Sequence, residues 1–425
     1  MLAIEKEIFF VQNVKMFKFI FLKINIMLAF HAVFGVCFAT FVGIYFYGDK
    51  MASLPLTPLP TAKQLSTRWQ GAFHTIDNNN KLEYFSLFTP QMNNERPKTA
   101  VVIFNGRGTG YGPCRVQKEE IQSVFIAHPI EDIQLLCISL PGTGASDPLN
   151  LHKTSTKELL NSVSDATLQI LREKSIKHAY ALGISSGTEF AFNFAQTAML
   201  KYRMGSDIKA VRIKGVVAIS PQPFPSNSYA PIEVKEVSKE VGGRSEPHKK
   251  LIQSQSEQNF VGAMIKIYTV VNKALVYFQR RGESEDAMFF EKQMKYIAGL
   301  TMTDEDIAVV REDLSRVDFH YLHSRWFYAP KVKGYDALHV EETLTNYNFF
   351  NNEKDDVPVH VYSGEKDERT GRSGVAFLMK TIKHASLYHF KGGYFEYPLG
   401  DALQNIIRTN FGIENRDYNE RARAQ

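Results

Sequence analysis

Residues 178–196 (His-Ala-Tyr-Ala-Leu-Gly-Ile-Ser-Ser-Gly-Thr-Glu-Phe-Ala-Phe-Asn-Phe-Ala-Gln) constrain the fold of this chain more than any other stretch. A short apolar run over 179–182 breaks at Gly183-Ile184-Ser185-Ser186-Gly187. Behind the break, Phe190, Ala191, Phe194 and Ala195 recur at helical spacing. The pattern predicts a strand, a sharp turn carrying a serine between two glycines, and then a helix, which is the nucleophile-elbow arrangement. Such a turn forces Ser185 into a strained backbone conformation. The glycines are needed where a Cβ would collide with a neighbouring strand or helix. The turn also aims the unpaired N–H groups of a helix N-terminus at whatever the serine attacks.

The rest of the chain is long enough to support such a site. With 425 residues, 44 % of them hydrophobic, it can bury one large core plus an insertion, or two cores. The net charge of +5 is small for this length and no long Lys/Arg run occurs, so nucleic acid is not an expected partner. Cys37, Cys114 and Cys137 sit in unrelated contexts, and neither a disulfide framework nor a zinc-type cluster is expected of them.

Residues 24–47 carry no formal charge and are long enough to span a bilayer, which takes roughly 20 residues. Lys15, Lys18 and Lys23 precede the run, and Asp49 and Lys50 follow it. The positive-inside rule then puts residues 1–23 in the cytoplasm and the bulk of the chain on the other side. Tyr45 and Tyr47 would fall in the interfacial aromatic belt. A cleaved signal, which would make the protein secreted, is the rival reading, because Cys37-Phe38-Ala39 offers small residues for cleavage; the apolar stretch is long for that.

Residues 48–66, rich in Pro, Leu and Thr, read as a linker. Two strand-like runs, 71–76 and 82–88, flank Asp77-Asn78-Asn79-Asn80 and predict an antiparallel hairpin. Residues 101–104 and 133–138 are continuous apolar runs, as expected of strands buried on both faces of a largely parallel sheet. The first ends in Asn105-Gly106-Arg107-Gly108 and the second in Pro141-Gly142-Thr143-Gly144-Ala145-Ser146-Asp147. Ser155-Thr156-Lys157-Glu158 is a capping box that opens a helix. A further buried strand is expected at 215–219, and further strands at 357–362 and 385–390. Strands alternating with helices predict an α/β fold with a doubly wound, mostly parallel sheet, whose ligands bind at the carboxyl ends of the strands.

In order and spacing, the strand ending at Asn105-Gly106-Arg107-Gly108, the 141–147 loop and the 183–187 elbow resemble those of the α/β-hydrolase family, especially its esterase, lipase and proline-iminopeptidase-like members. The resemblance covers residues 67–221 and 355–412. It implies a core in two parts, 67–221 and 356–425, with a helical cap over 222–355. It also implies that Ser185 is the nucleophile, that the backbone N–H groups of Ser186 and Arg107 form the oxyanion hole, and that Asp367 is the triad acid, with Glu365 as the alternative carboxylate. No cofactor is implied. Asp318, His320 and His323 in the cap have no second ligand cluster beside them, so no metal is expected.

Two departures stand out. The oxyanion loop opens with Asn105-Gly106 where the family usually has His-Gly, and Tyr394 occupies the place of the triad histidine. A serine needs a base, and the base needs a carboxylate to fix its tautomer. Only His384 and His389 follow Asp367. His389 lies within a predicted strand, where alternation points it to one face rather than off the end. It is the candidate base; His320, His323 and His74 are alternatives from elsewhere. Tyr394 itself is a poor base, since a phenol is mostly protonated at neutral pH. The leading expectation is a membrane-anchored serine hydrolase acting on an ester, with a small or lipid-like molecule as substrate. The alternative is a non-catalytic relative that binds a ligand or partner after losing the histidine.

Overall fold

The computed structural model describes residues 35, 71–76, 79–88, 98–106, 114, 133–149, 156–204, 210–221, 347–351, 357–365, 373–391 and 399–410. Strands β1 (Gly71–Thr75) and β2 (Lys81–Phe88) pair antiparallel, Thr75 opposite Lys81, as the hairpin reading predicts. β2 continues antiparallel to β4 (Ile133–Ile138), and β4 runs parallel to β3 (Thr99–Phe104). The sheet then extends in parallel through β5 (His178–Ile184), β6 (Arg212–Ile219), β7 (Val359–Gly364) and β8 (Ala385–Phe390). It is eight-stranded, in the order β1-β2-β4-β3-β5-β6-β7-β8.

Both faces are covered, which is why β3, β4 and β7 are apolar or buried throughout. One face packs on helices α1 (Thr156–Glu173), α2 (Gly187–Arg203) and α3 (Ser373–Thr381). The other carries α4 (Leu399–Asn410), whose Ala402, Leu403 and Ile406 meet Tyr180, Leu182, Val217 and Tyr362. In α1, Leu159, Leu160, Val163, Ala166 and Leu171 are buried, as their spacing predicts. Asn193 of α2 donates to Asn161 Oδ1 and Ser164 Oγ of α1 at 3.2 and 2.9 Å, which ties the two helices together. A 3-10 turn, Tyr347–Asn351, packs Phe350 edge-on against Phe192 with ring centroids 5.1 Å apart.

The expectation that the cysteines form no disulfide is corrected: Cys114 and Cys137 are bonded, with Cα atoms 6.5 Å apart. Cys137 lies on β4 and points to the α4 face, where Cys114 of the β3–β4 connection packs. The bond joins residues 23 positions apart in the sequence. Cys37 lies outside the described residues. So does the 24–47 run, apart from Gly35; among the described residues no helix is long and apolar enough to cross a membrane. The linker and nearly all of the 222–355 segment, Asp318, His320 and His323 included, also lie outside them.

His360, on β7, is buried on the α4 face beside Tyr388, with ring centroids 5.0 Å apart. Burial disfavours the imidazolium and pushes its pKa from 6.5 down to about 4. The unfolded chain takes up this proton near pH 6.5 and the folded chain only near pH 4, so stability falls as pH drops between the two. The full loss is about 3 kcal/mol. Urea unfolding of wild type and His360→Gln at pH 7 and pH 4.5 should show a smaller acid loss in the variant. Equal losses would assign the acid sensitivity to other groups.

Candidate active site

The elbow is built by steric necessity. β5 runs to Ile184, α2 begins at Gly187, and Ser185 between them has φ 54°, a left-handed conformation that a side-chain-bearing residue rarely adopts. Its N–H donates to the Ile219 carbonyl at 2.9 Å, and its own carbonyl accepts from the Thr188 N–H at 3.1 Å, so the strained backbone is held at both ends. A Cβ at position 183 would lie 2.4 Å from Thr188 Cα, and one at position 187 would lie 2.0 Å from the Phe104 carbonyl oxygen. The two glycines let α2 sit directly on the end of β5 and against β3. Phe190 and Phe194 secure the helix over Phe104, with ring centroids 6.4 and 5.7 Å away.

Ser185 is buried at the carboxyl edge of the sheet, between the ends of β3 and β6. Ser186 is the N-cap of α2, in right-handed helical conformation, and its side chain makes no capping bond. The N-terminus of this 17-residue helix brings its partial positive charge to the elbow, with the Thr188 N–H already given to the Ser185 carbonyl. One strand away, Asn105 follows Phe104, the register partner of Gly183. Its buried amide donates to Cys114 Sγ at 3.5 Å, so the disulfide and the start of the glycine-rich loop are in contact.

The 141–147 loop follows β4 at the carboxyl edge of the sheet, and sequence reasoning missed what holds it. Glu83 of β2 is fully buried, and its Oε2 accepts from Ser139 Oγ and from the Ala145 N–H, both at 2.8 Å. Ser146 Oγ accepts from the Glu83 N–H at 2.8 Å and donates to the Ser139 carbonyl at 2.7 Å. Asp147 closes the ring: its carboxylate accepts from the Lys81 N–H at 2.7 Å while its own N–H donates to the Lys81 carbonyl at 2.8 Å. The available signal was a glutamate on the same inward face of the strand as Phe85, a position normally apolar.

The expected site residues fall into two groups. Ser185 and Ser186 meet at the elbow. Arg107, Asp367 and Tyr394 lie outside the described residues. His389 lies within β8, exposed, opposite Ser363 of β7. Three strand spacings separate β8 from β5, about 14 Å across the sheet. The described geometry does not bring His389 to Ser185. Glu365 is an exposed turn residue whose N–H donates to the Phe390 carbonyl at 3.0 Å. His384 is exposed just before β8, and His74 sits on the outer strand β1, its Nδ1 3.9 Å from Glu173 Oε2. Among the described residues no group of three or more metal-ligating side chains occurs.

No family model matches the sequence, and no curated protein matches it. Solved structures do resemble it. An esterase from Exiguobacterium antarcticum is 12% identical, with a TM-score of 0.43 over 80% of this chain and 98% of its own. A 2-hydroxy-6-oxo-6-phenylhexa-2,4-dienoate hydrolase from Rhodococcus sp. strain RHA1 is 12% identical, with a TM-score of 0.46 over 80% and 97%. A hydrolase from Pseudomonas aeruginosa PA01 is 13% identical, with a TM-score of 0.44 over 81% and 100%. Likenesses at this level carry no weight for activity. The sheet order, the two helical layers and the serine elbow are the observations that agree with the α/β-hydrolase resemblance of the motifs.

Proposed function

We propose that this protein is a serine hydrolase acting on a carboxylic ester, with Ser185 as nucleophile. The observation that carries the reading is the backbone of Ser185. A non-glycine residue held left-handed at φ 54°, at the N-terminus of a long helix, is a costly arrangement of the kind that clusters at active sites. In the reaction the Ser185 hydroxyl attacks the ester carbonyl and loses its proton to a base. The negative charge on the carbonyl oxygen is met by backbone N–H groups, for which Ser186 and Arg107 are our assignment. Asp367 is our assignment for the orienting acid, and the base is sought first at His389 and then at His320, His323 or His74.

The second reading, a ligand-binding protein without turnover, is favoured by the tyrosine at the histidine's place and by the position of His389 on the outer strand. We further propose that residues 24–47 anchor the domain on the non-cytoplasmic side of a membrane. The Cys114–Cys137 bond supports an oxidising compartment, and a lipid-derived ester suits a tethered enzyme.

The test is labelling of the full chain, in detergent, by a fluorophosphonate. Labelling of wild type that disappears in Ser185→Ala is the expected result, and its loss in His389→Ala would identify the base. An unlabelled wild type alongside a reactive Tyr394→His would instead establish the binding protein.

A further inference from the structure

Among the described residues, four non-glycine residues have left-handed backbones. Asn79 and Ser175 lie in connections, Asn79 in the β1–β2 hairpin and Ser175 between α1 and β5. The other two, Ser185 at φ 54° and Ser220 at φ 42°, close neighbouring strands at the carboxyl edge of the sheet. Ile184 and Ile219 are register partners, so the two serines leave the sheet side by side, one strand spacing apart, about 4.8 Å. Each backbone is pinned from the next strand: the Ser185 N–H donates to the Ile219 carbonyl and the Ser220 N–H to the Tyr362 carbonyl, both at 2.9 Å.

The sequence resemblance assigns Ser220 no role, and its side chain is expensive where it stands. Glycine would relieve the left-handed backbone, and alanine would remove the hydroxyl. Instead the Ser220 Oγ is buried with no hydrogen-bond partner among the protein's own atoms, a state that folded proteins usually avoid and that calls for an explanation. The Ser185 hydroxyl springs from the end of the adjacent strand. Both side chains are short and spring from adjacent, fixed Cα atoms, so the hydroxyls come within reach when Ser185 turns to attack.

We propose that Ser220 is a positioning residue whose hydroxyl donates a hydrogen bond to Ser185 Oγ in the attacking rotamer. This rests on the serine-hydrolase reading above. Ser220 keeps its own proton throughout; the Ser185 proton leaves to the base, and the Ser220 O–H steadies the negative charge then developing on Ser185 Oγ. The bond forms as the reaction begins, so it contributes to rate rather than to binding.

Ser220→Ala and Ser220→Gly, made in the full chain, test this through the inactivation rate constant and the binding constant for the fluorophosphonate, with the melting temperature measured in parallel. Both variants should lose roughly tenfold or more in the rate constant, the scale of a hydrogen bond to a charged group. Binding should be unchanged, and the melting temperature should hold or rise, most in Ser220→Gly. A purely structural Ser220 would move stability and reactivity together. Wild-type rates in a folded Ser220→Ala would overturn the proposal and leave the nucleophile assignment intact. An unlabelled wild type would overturn both. Should Ser220→Gly fail to fold, Ser220→Ala decides alone.

Discussion

Ser185→Ala is expected to lower ester turnover by about 10⁴–10⁶-fold while leaving the fold intact. The two halves of this result have separate causes. On the proposed mechanism, turnover depends on the one oxygen atom that the substitution removes. Stability depends on the backbone, since the hydrogen bonds recorded for Ser185 run from its N–H to Ile219 and from Thr188 to its carbonyl. Alanine keeps both. Ser185→Gly extends the comparison: it removes the same oxygen and also releases the left-handed backbone at φ 54°, so it should be more stable than wild type by about 1 kcal/mol. A short-chain p-nitrophenyl ester and a thermal melt measure the two effects. Turnover above about one per cent of wild type in Ser185→Ala would remove Ser185 from the role of nucleophile.

The part of the fold that holds this serine was legible because its signals are local. Continuous apolar runs marked β3 and β4 to the residue or nearly so, since a strand covered on both faces has no polar side to show. The glycines around Ser185 were readable for the same reason: the collision each avoids lies within a few residues or at the end of the next strand. β7 was expected two residues early, at 357; its sheet pairing begins at Val359, after Pro358, which has no N–H to donate.

What sequence did not give is what depends on distant partners. Cys114 and Cys137 meet across 23 positions of sequence, a contact that no local pattern announces. Glu83 looks like an ordinary hairpin residue until the 141–147 loop closes over it with Ser139, Ala145 and Ser146. Ser220 carries no sequence mark, because its conformation follows from how β6 ends against β7. His389 was legible as a strand residue, and it stands next to last in β8, three strand spacings from β5.

The seating of the elbow on β3 leads to the second large effect. Gly187→Ala should destabilise the protein by about 4 kcal/mol or more, a large share of the roughly 5–15 kcal/mol that stabilises a typical domain. By intrinsic propensity the change would help, since alanine is about 1 kcal/mol better than glycine in a helix. The collision decides the sign. The new methyl would lie 2.0 Å from the Phe104 carbonyl oxygen and 2.7 Å from that of Asn105, and these are backbone atoms of a fully buried strand and the residue that follows it. Relief requires α2 to lift from β3, which would pull Phe190 and Phe194 off Phe104 and carry Ser185 away from the Asn105 loop. Gly215→Ala is the informative comparison, because its Cβ would meet the Ile406 side chain at 2.7 and 2.8 Å, and the tip of a side chain can rotate aside. Urea midpoints for the two variants should therefore differ widely, with Gly187→Ala far below Gly215→Ala and its fluorophosphonate labelling lost with the fold. A Gly187→Ala protein as stable as wild type would mean that α2 does not rest on the end of β3, and the geometry assigned to Ser185 would fall with it.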